Sequence, residues 1–299
     1  MRDFLLFWGW RIGSALAQRV PLRLGYAVSA LLGEIVYVAW RSRREIAKRN
    51  LAAVLRRDPE EREVAQTARR SFREYSKYIV EIMRLPHLSD ADLDRLVEVE
   101  GTENFRRALE HGKGIIFVSA HFGNFEIGGV HIADEIAPLT VLADDLGLKR
   151  VFDMLLGHRR RRDVHLVTEG MARAALAALR RNELVGMMMD LGPRAQAFDT
   201  VRVNFCGRET VFPAVAAQLS RVSGAPIVVG CVVRRSGRPF LGIAGEPIFV
   251  HRTKEALADV HEATQRIVND IERFVTSWPE QWYIYRPMWP LEAEAVTSA

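Results

Sequence analysis

Gly114-Ile-Ile-Phe-Val-Ser-Ala120 runs without a break into His121-Phe-Gly-Asn-Phe-Glu126, so an apolar stretch is followed at once by an imidazole, a glycine, an amide and a carboxylate. A short apolar run of this kind reads as a buried strand, which delivers His121 to its end. Gly123 permits a sharp reversal, and Asn124 is a good N-cap for the helix expected after it. Folded as strand, turn and helix, the block can bring Glu126 back onto the ring of His121, and the chemistry is expected there.

Spacing alone proves little, because 8 histidines and 37 acidic residues among 299 give about one His-x4-acid match by chance. His87 with Asp92 and His158 with Asp163 share the spacing. The first pair lies in a polar stretch that no apolar strand precedes, and it reads as a solvated helix entry. The second brackets Arg159 to Arg162, where the positive charge is the informative feature. Only His121 and Glu126 have the strand, turn and helix that converge two side chains on one site.

Outward from this block the pattern alternates. Helices are expected at 102–112, 124–136, 148–157 and 169–181, between strands at 114–120, 138–143, 164–168 and 184–190. Further strands are expected at 200–205, 226–233 and 240–246, with helices at 212–223 and 254–277. Such alternation implies an α/β fold, a mostly parallel central sheet flanked by helices. Upstream, Val64, Ala68, Phe72, Tyr75, Ile79 and Ile82 recur at helical spacing and should cover one side of the core. Residues 41–299 read as a single domain without repeat or linker. The tail carries Trp278, Trp282, Tyr283, Tyr285 and Trp289, which suit either a lipid groove or the core.

A 48% hydrophobic content indicates a folded chain, and a net charge of +5 suits an anionic partner, either nucleic acid or a membrane's phosphate surface. The first 40 residues favour the membrane. Phe4 to Trp10 is almost wholly apolar, and Leu24 to Trp40 is interrupted only by Gly25, Ser29, Gly33 and Glu34, at the short end for a bilayer span. Trp8, Trp10, Tyr26, Tyr37 and Trp40 are residue types expected at headgroup level. Residues 1–40 therefore read as a membrane-associated pair of helices, embedded or interfacial. The basic run Arg41-Ser-Arg-Arg44 resembles a positive-inside flank that places the main domain in the cytoplasm. No groove-reading motif or basic segment interleaved with aromatics supports nucleic acid. Cys206 and Cys231 offer no metal-ligand pattern or disulfide framework. The motifs of serine hydrolases, P-loop enzymes, dinucleotide oxidoreductases and zincins are missing.

A histidine takes a proton from a hydroxyl near neutral pH, and a neighbouring carboxylate fixes its tautomer and stabilises the imidazolium. With a thioester as acyl donor no protein nucleophile is needed, since the acceptor hydroxyl attacks directly. Backbone N–H groups at Gly123 and Asn124 are placed to stabilise the resulting oxyanion. The arginine-rich segment at 148–163 suits a phosphate of coenzyme A, phosphopantetheine or a lipid.

With those residues in view, the chain resembles the bacterial lipid A biosynthesis acyltransferases, within the wider glycerolipid and lysophospholipid acyltransferase superfamily. His121 to Glu126 looks like that family's His-x4-Glu block, in which the histidine is the base and the acid supports it. Phe152-Asp153 with Arg160 and Arg162 resembles a second block that meets a phosphate. Val185-Gly-Met-Met-Met-Asp190 resembles a block usually ending Asp-Gln, with Leu191 in place of the glutamine. Phe205-Cys-Gly-Arg-Glu-Thr210 is similar to a later block, its threonine one position early, and Pro279-Glu-Gln-Trp282 matches the closing signature.

The resemblance implies that an acyl chain passes from acyl carrier protein or coenzyme A to a hydroxyl of a glycolipid resembling a lipid A precursor. It places the reaction at the cytoplasmic face of the inner membrane, and it implies no metal or redox cofactor. His121 and Glu126 are then the catalytic pair; Gly123, Asn124, Arg160, Arg162 and Asp190 form the expected substrate-binding set. The same pattern includes phosphatidylinositol mannoside and other lysolipid acyltransferases. Two alternatives remain, a non-catalytic lipid-binding membrane protein and a thioesterase with water as acceptor.

Overall fold

The computed structural model describes residues 2–143, 163–193 and 199–289. Seven strands form one sheet: β1 (Val97–Glu100), β2 (Ile115–Ser119), β3 (Leu139–Leu142), β4 (Val164–Val167), β5 (Leu184–Met188), β8 (Ile227–Val233) and β9 (Phe240–Ala244). Their spatial order is β1-β9-β8-β2-β5-β3-β4. The strands from β8 to β4 run parallel, while β9 lies antiparallel to β8 and carries β1 beside it. The apolar runs at β2 and β8 follow from this position, because central strands of a parallel sheet are covered on both faces.

Two cores lie on opposite sides of the sheet. Ile116, Val118 and Ala120 of the β2 segment pack with Ala175 and Leu179 of α8 (Met171–Arg180), Leu219 of α9 (Val215–Ser223) and Ile267 and Ile271 of α10 (Ala256–Ser277). On the other face, Ile115 packs with Leu93 of α5 (Asp90–Leu96), Phe105 of α6 (Thr102–Leu109) and Ile127 and Val130 of α7 (Phe125–Glu135). Alternate residues of one strand thus serve two layers of helices, as the period of two requires.

The structure departs from the sequence expectations in several places. Residues 200–205 form a strand, β6 (Thr200–Phe205), but it pairs antiparallel with β7 (Arg208–Pro213) in a separate hairpin. Cys206 and Gly207 at its turn both have positive φ, 53° and 79°, as a tight two-residue hairpin demands. β1 was not anticipated, because Val-Glu-Val-Glu is too short and acidic to signal a strand without its neighbour. The helix expected at 148–157 lies outside the described residues. The aromatic tail resolves in favour of the core, since Trp282, Tyr283 and Trp289 are all buried.

Four helices precede the sheet: α1 (Arg2–Arg19), α2 (Leu22–Ala39), α3 (Arg41–Leu55) and α4 (Arg62–Arg84). The buried stripe of α2 is made of small residues, Gly25, Ser29, Ala30 and Gly33. It lies against α4 closely enough that a Cβ on Gly33 would come within 2.7 Å of the Phe72 carbonyl oxygen. The other face of α2 exposes Val28, Leu31, Leu32 and Ile35. Among the described residues α2 alone is long and apolar enough to cross a membrane, with 18 residues, mean hydropathy 1.4 and 17% of it buried.

Candidate active site

β2 and β5 are adjacent parallel strands in a register that sets Ile115 beside Leu184 and Ser119 beside Met188. Both chains continue past the sheet in step, with the Met189 N–H donating to the Ser119 carbonyl at 3.0 Å. That register carries His121 opposite Asp190. The contact is double: the His121 backbone N–H donates to Asp190 Oδ2 at 2.9 Å, and ring Nδ1 lies 2.8 Å from Asp190 Oδ1. Oδ2 also accepts from the indole N–H of Trp282 at 2.9 Å, and Arg286 donates to the Asp190 carbonyl oxygen at 3.1 Å.

Asp190 is fully buried at 0% exposure, while the His121 side chain remains 32% exposed. Burial on its own would raise the carboxyl's pKa. The charge and hydrogen bond of His121, then the charge of Arg286 and the Trp282 hydrogen bond, outweigh it and hold Asp190 below the usual carboxylate range. An ionised Asp190 accepts from Nδ1–H and leaves the lone pair on Nε2, on the side away from the carboxylate. An imidazole held in one tautomer, partly exposed and backed by a buried anion, is the arrangement of a general base.

The carboxylate in contact with the ring is Asp190, which the sequence reading placed in the substrate-binding set. The carboxylate on Nδ1 comes from the end of the neighbouring strand rather than from Glu126, which stands in the first turn of α7. Asp190 is fully buried, with its carboxylate on the His121 ring. Phe125 packs edge-on against the His121 ring, with centroids 5.9 Å apart.

Gly123 and Asn124 were expected to offer their N–H groups to an oxyanion, and both groups are already engaged. Gly123 N–H donates to the Gln281 carbonyl at 2.9 Å and Asn124 N–H to the Val232 carbonyl at 2.8 Å. Gly123 has φ +58°, and a Cβ there would fall 1.8 Å from the Val232 oxygen, so glycine is required by backbone contact as well as by the reversal. Asn124 does cap α7, its Oδ1 accepting from Ile127 N–H at 2.9 Å, but its side chain is fully buried. Arg160 and Arg162, expected to meet a phosphate, lie outside the described residues.

The residues that sequence reasoning missed as parts of the site are those of the closing signature. Trp282 bridges to Phe122, and Tyr283 N–H donates to the His121 carbonyl at 2.8 Å, so residues 281–283 run alongside the block. The indole on Asp190 belongs to the same segment. Thr210 likewise proves to be an anchor, buried and donating to the Met288 carbonyl at 2.6 Å.

A family model described as bacterial lipid A biosynthesis acyltransferase matches residues 2–290. The phosphatidylinositol mannoside acyltransferase of Mycolicibacterium smegmatis is 24% identical over 287 residues, covering 94% of this chain and 90% of that protein. The protein of that name from Mycobacterium tuberculosis is 23% identical over 228 residues, 73% of this chain and 69% of its own length. The lipid A biosynthesis palmitoleoyltransferase of Escherichia coli is 25% identical over 275 residues, 89% of this chain and 86% of its own. The match runs through both strands that carry His121 and Asp190, and the chain belongs to the bacterial lipid A biosynthesis acyltransferase family, a family of O-acyltransferases.

Proposed function

We propose that this protein transfers a fatty acyl chain from an acyl thioester to a hydroxyl of a membrane glycolipid, with His121 as general base. The observation that carries the reading is the double contact of Asp190 with the backbone and ring of His121. Nε2 takes the proton of the acceptor hydroxyl as its oxygen attacks the thioester carbonyl carbon. The C–S bond then breaks, and the leaving thiolate receives the proton from the imidazolium. Asp190 stabilises that imidazolium without itself taking up the proton. Glu126 keeps its assignment to the site as a carboxylate in the first helical turn. Arg160 and Arg162 are assigned to a phosphate of the donor or of the acceptor headgroup.

The acceptor class follows from the relatives, which are named for acylation of phosphatidylinositol mannoside and for lipid A biosynthesis. Both names point to a glycolipid, so the proposed substrate is an amphiphile with a free sugar hydroxyl. The M. smegmatis relative covers slightly more of the chain, which supports the mannoside reading beside the lipid A one. The donor is proposed to be a thioester of acyl carrier protein or coenzyme A. The exposed apolar face of α2 and the arginines that follow it support a place at the cytoplasmic face of the inner membrane.

The test is mass spectrometry of acyl transfer, with wild type and His121→Ala incubated with mixed acyl thioesters and total glycolipid of the source cells. A mass gain on one lipid class, lost in the variant, is the expected outcome. Full transfer by a folded His121→Ala would rule out the mechanism. Free fatty acid in place of acylated lipid would indicate a thioesterase, and vesicle binding without any product an inert lipid-binding protein.

A further inference from the structure

A buried polar cluster lies outside the His121 block and reaches into it. Glu81 on α4, 4% exposed, accepts from four donors. Tyr26 of α2 donates to its Oε1 at 2.6 Å, Arg234 donates to both oxygens, and Asn124 Nδ2 donates to its Oε2 at 2.7 Å. Arg234, directly after β8, also pairs with Glu74, whose other oxygen meets Lys77 at 2.6 Å. Two acidic and two basic side chains therefore balance one another.

Two routes lead from this cluster to the turn. Asn124 is bonded at both ends, Oδ1 to the first turn of α7 and Nδ2 to Glu81, which fixes the orientation of its amide. The Arg234 backbone is paired with the Gln281 side chain, N–H to Oε1 at 2.8 Å and Nε2 to carbonyl at 2.9 Å. Gln281 in turn accepts from Gly123 N–H. Buried ion pairs are weak contributors to net stability, because desolvation offsets their attraction. Their geometric effect here is to hold positions 123 and 124 from one side while Asp190 holds 121 from the other.

We infer that Glu81 and Arg234 are positioning residues for His121, acting through Asn124 and Gly123. This rests on the reading of His121 as the base. Asn124→Ser is the decisive variant, since serine keeps the N-cap to Ile127 but cannot donate an amide N–H to Glu81. Acyl transfer from mixed acyl thioesters to total glycolipid in detergent micelles gives kcat and the acceptor KM, alongside thermal unfolding. The expected result is a melting point close to wild type, kcat lowered about 10- to 100-fold and KM within about threefold. A folded Asn124→Ser with wild-type kcat overturns the inference.

Glu81→Gln gives an independent arm and decides the matter if the serine variant does not fold. The double variant should be no slower than the slower single one, because both act on the Asn124–Glu81 contact, which glutamine keeps only as a neutral acceptor; rate losses that multiply would overturn the shared route. His121→Ala separates the two readings. If it retains activity the general-base assignment fails, whereas an inactive His121→Ala beside a fully active Asn124→Ser removes only the positioning role.

Discussion

At the residue scale the site turns on one buried carboxylate. Asp190 is held ionised against the cost of burial by His121, Arg286 and the Trp282 indole, so its pKa in the folded protein lies below its ordinary value. A carboxyl shifted in that direction stabilises the fold at all pH values above its unfolded pKa of about 3.9. The contribution fades as pH falls below that value and through the depressed folded pKa, where the native state also becomes protonated. Urea unfolding midpoints measured from about pH 5 down to pH 2 should therefore fall more steeply for wild type than for Asp190→Asn. Parallel acid limbs would show that the His121–Asp190 pair contributes nothing to acid stability.

At the scale of elements, α2 carries opposite demands on its two faces. The small stripe Gly25, Ser29, Ala30 and Gly33 lets its backbone approach α4, while Val28, Leu31, Leu32 and Ile35 stay in contact with solvent. Exposed apolar side chains clustered on one helix face mark an interaction surface. On the membrane reading, replacing Leu31 and Ile35, 62% and 55% exposed, with glutamate weakens binding to phospholipid vesicles. Two side chains withdrawn from lipid cost on the order of 3 kcal/mol or more, which is upwards of 100-fold in affinity. The melting point should stay near wild type because neither side chain supports the core. Flotation with vesicles measures the effect, and unchanged binding by the folded double variant would argue against this face as the membrane contact.

At the scale of the whole molecule, the sequence and the structure agree on layers and disagree on neighbours. The strands at 114–120 and 184–190 were legible from their apolar runs, and the turn at Gly123 and cap at Asn124 from residue chemistry. What sequence could not supply was strand order. Once β2 and β5 are known to be adjacent, their register alone puts Asp190 beside His121, a contact that spacing along the chain does not reveal. The antiparallel β9 and the separate β6–β7 hairpin escaped for the same reason, since each is defined by its partner. The role of the C-terminal segment was equally hidden, because nothing local in Pro279-Glu-Gln-Trp282 says that it lies against residues 121–123.

On this mechanism Asp190 holds His121 as the base. The most direct test is the steady-state rate of acyl transfer to glycolipid by purified Asp190→Asn, checked for folding by circular dichroism. An asparagine amide can offer Nδ1 a donor where an acceptor is needed, which selects the wrong imidazole tautomer, so kcat should fall about 10²- to 10⁴-fold with KM little changed. A folded Asp190→Asn within about threefold of wild type would contradict the account and return the supporting role to another carboxylate.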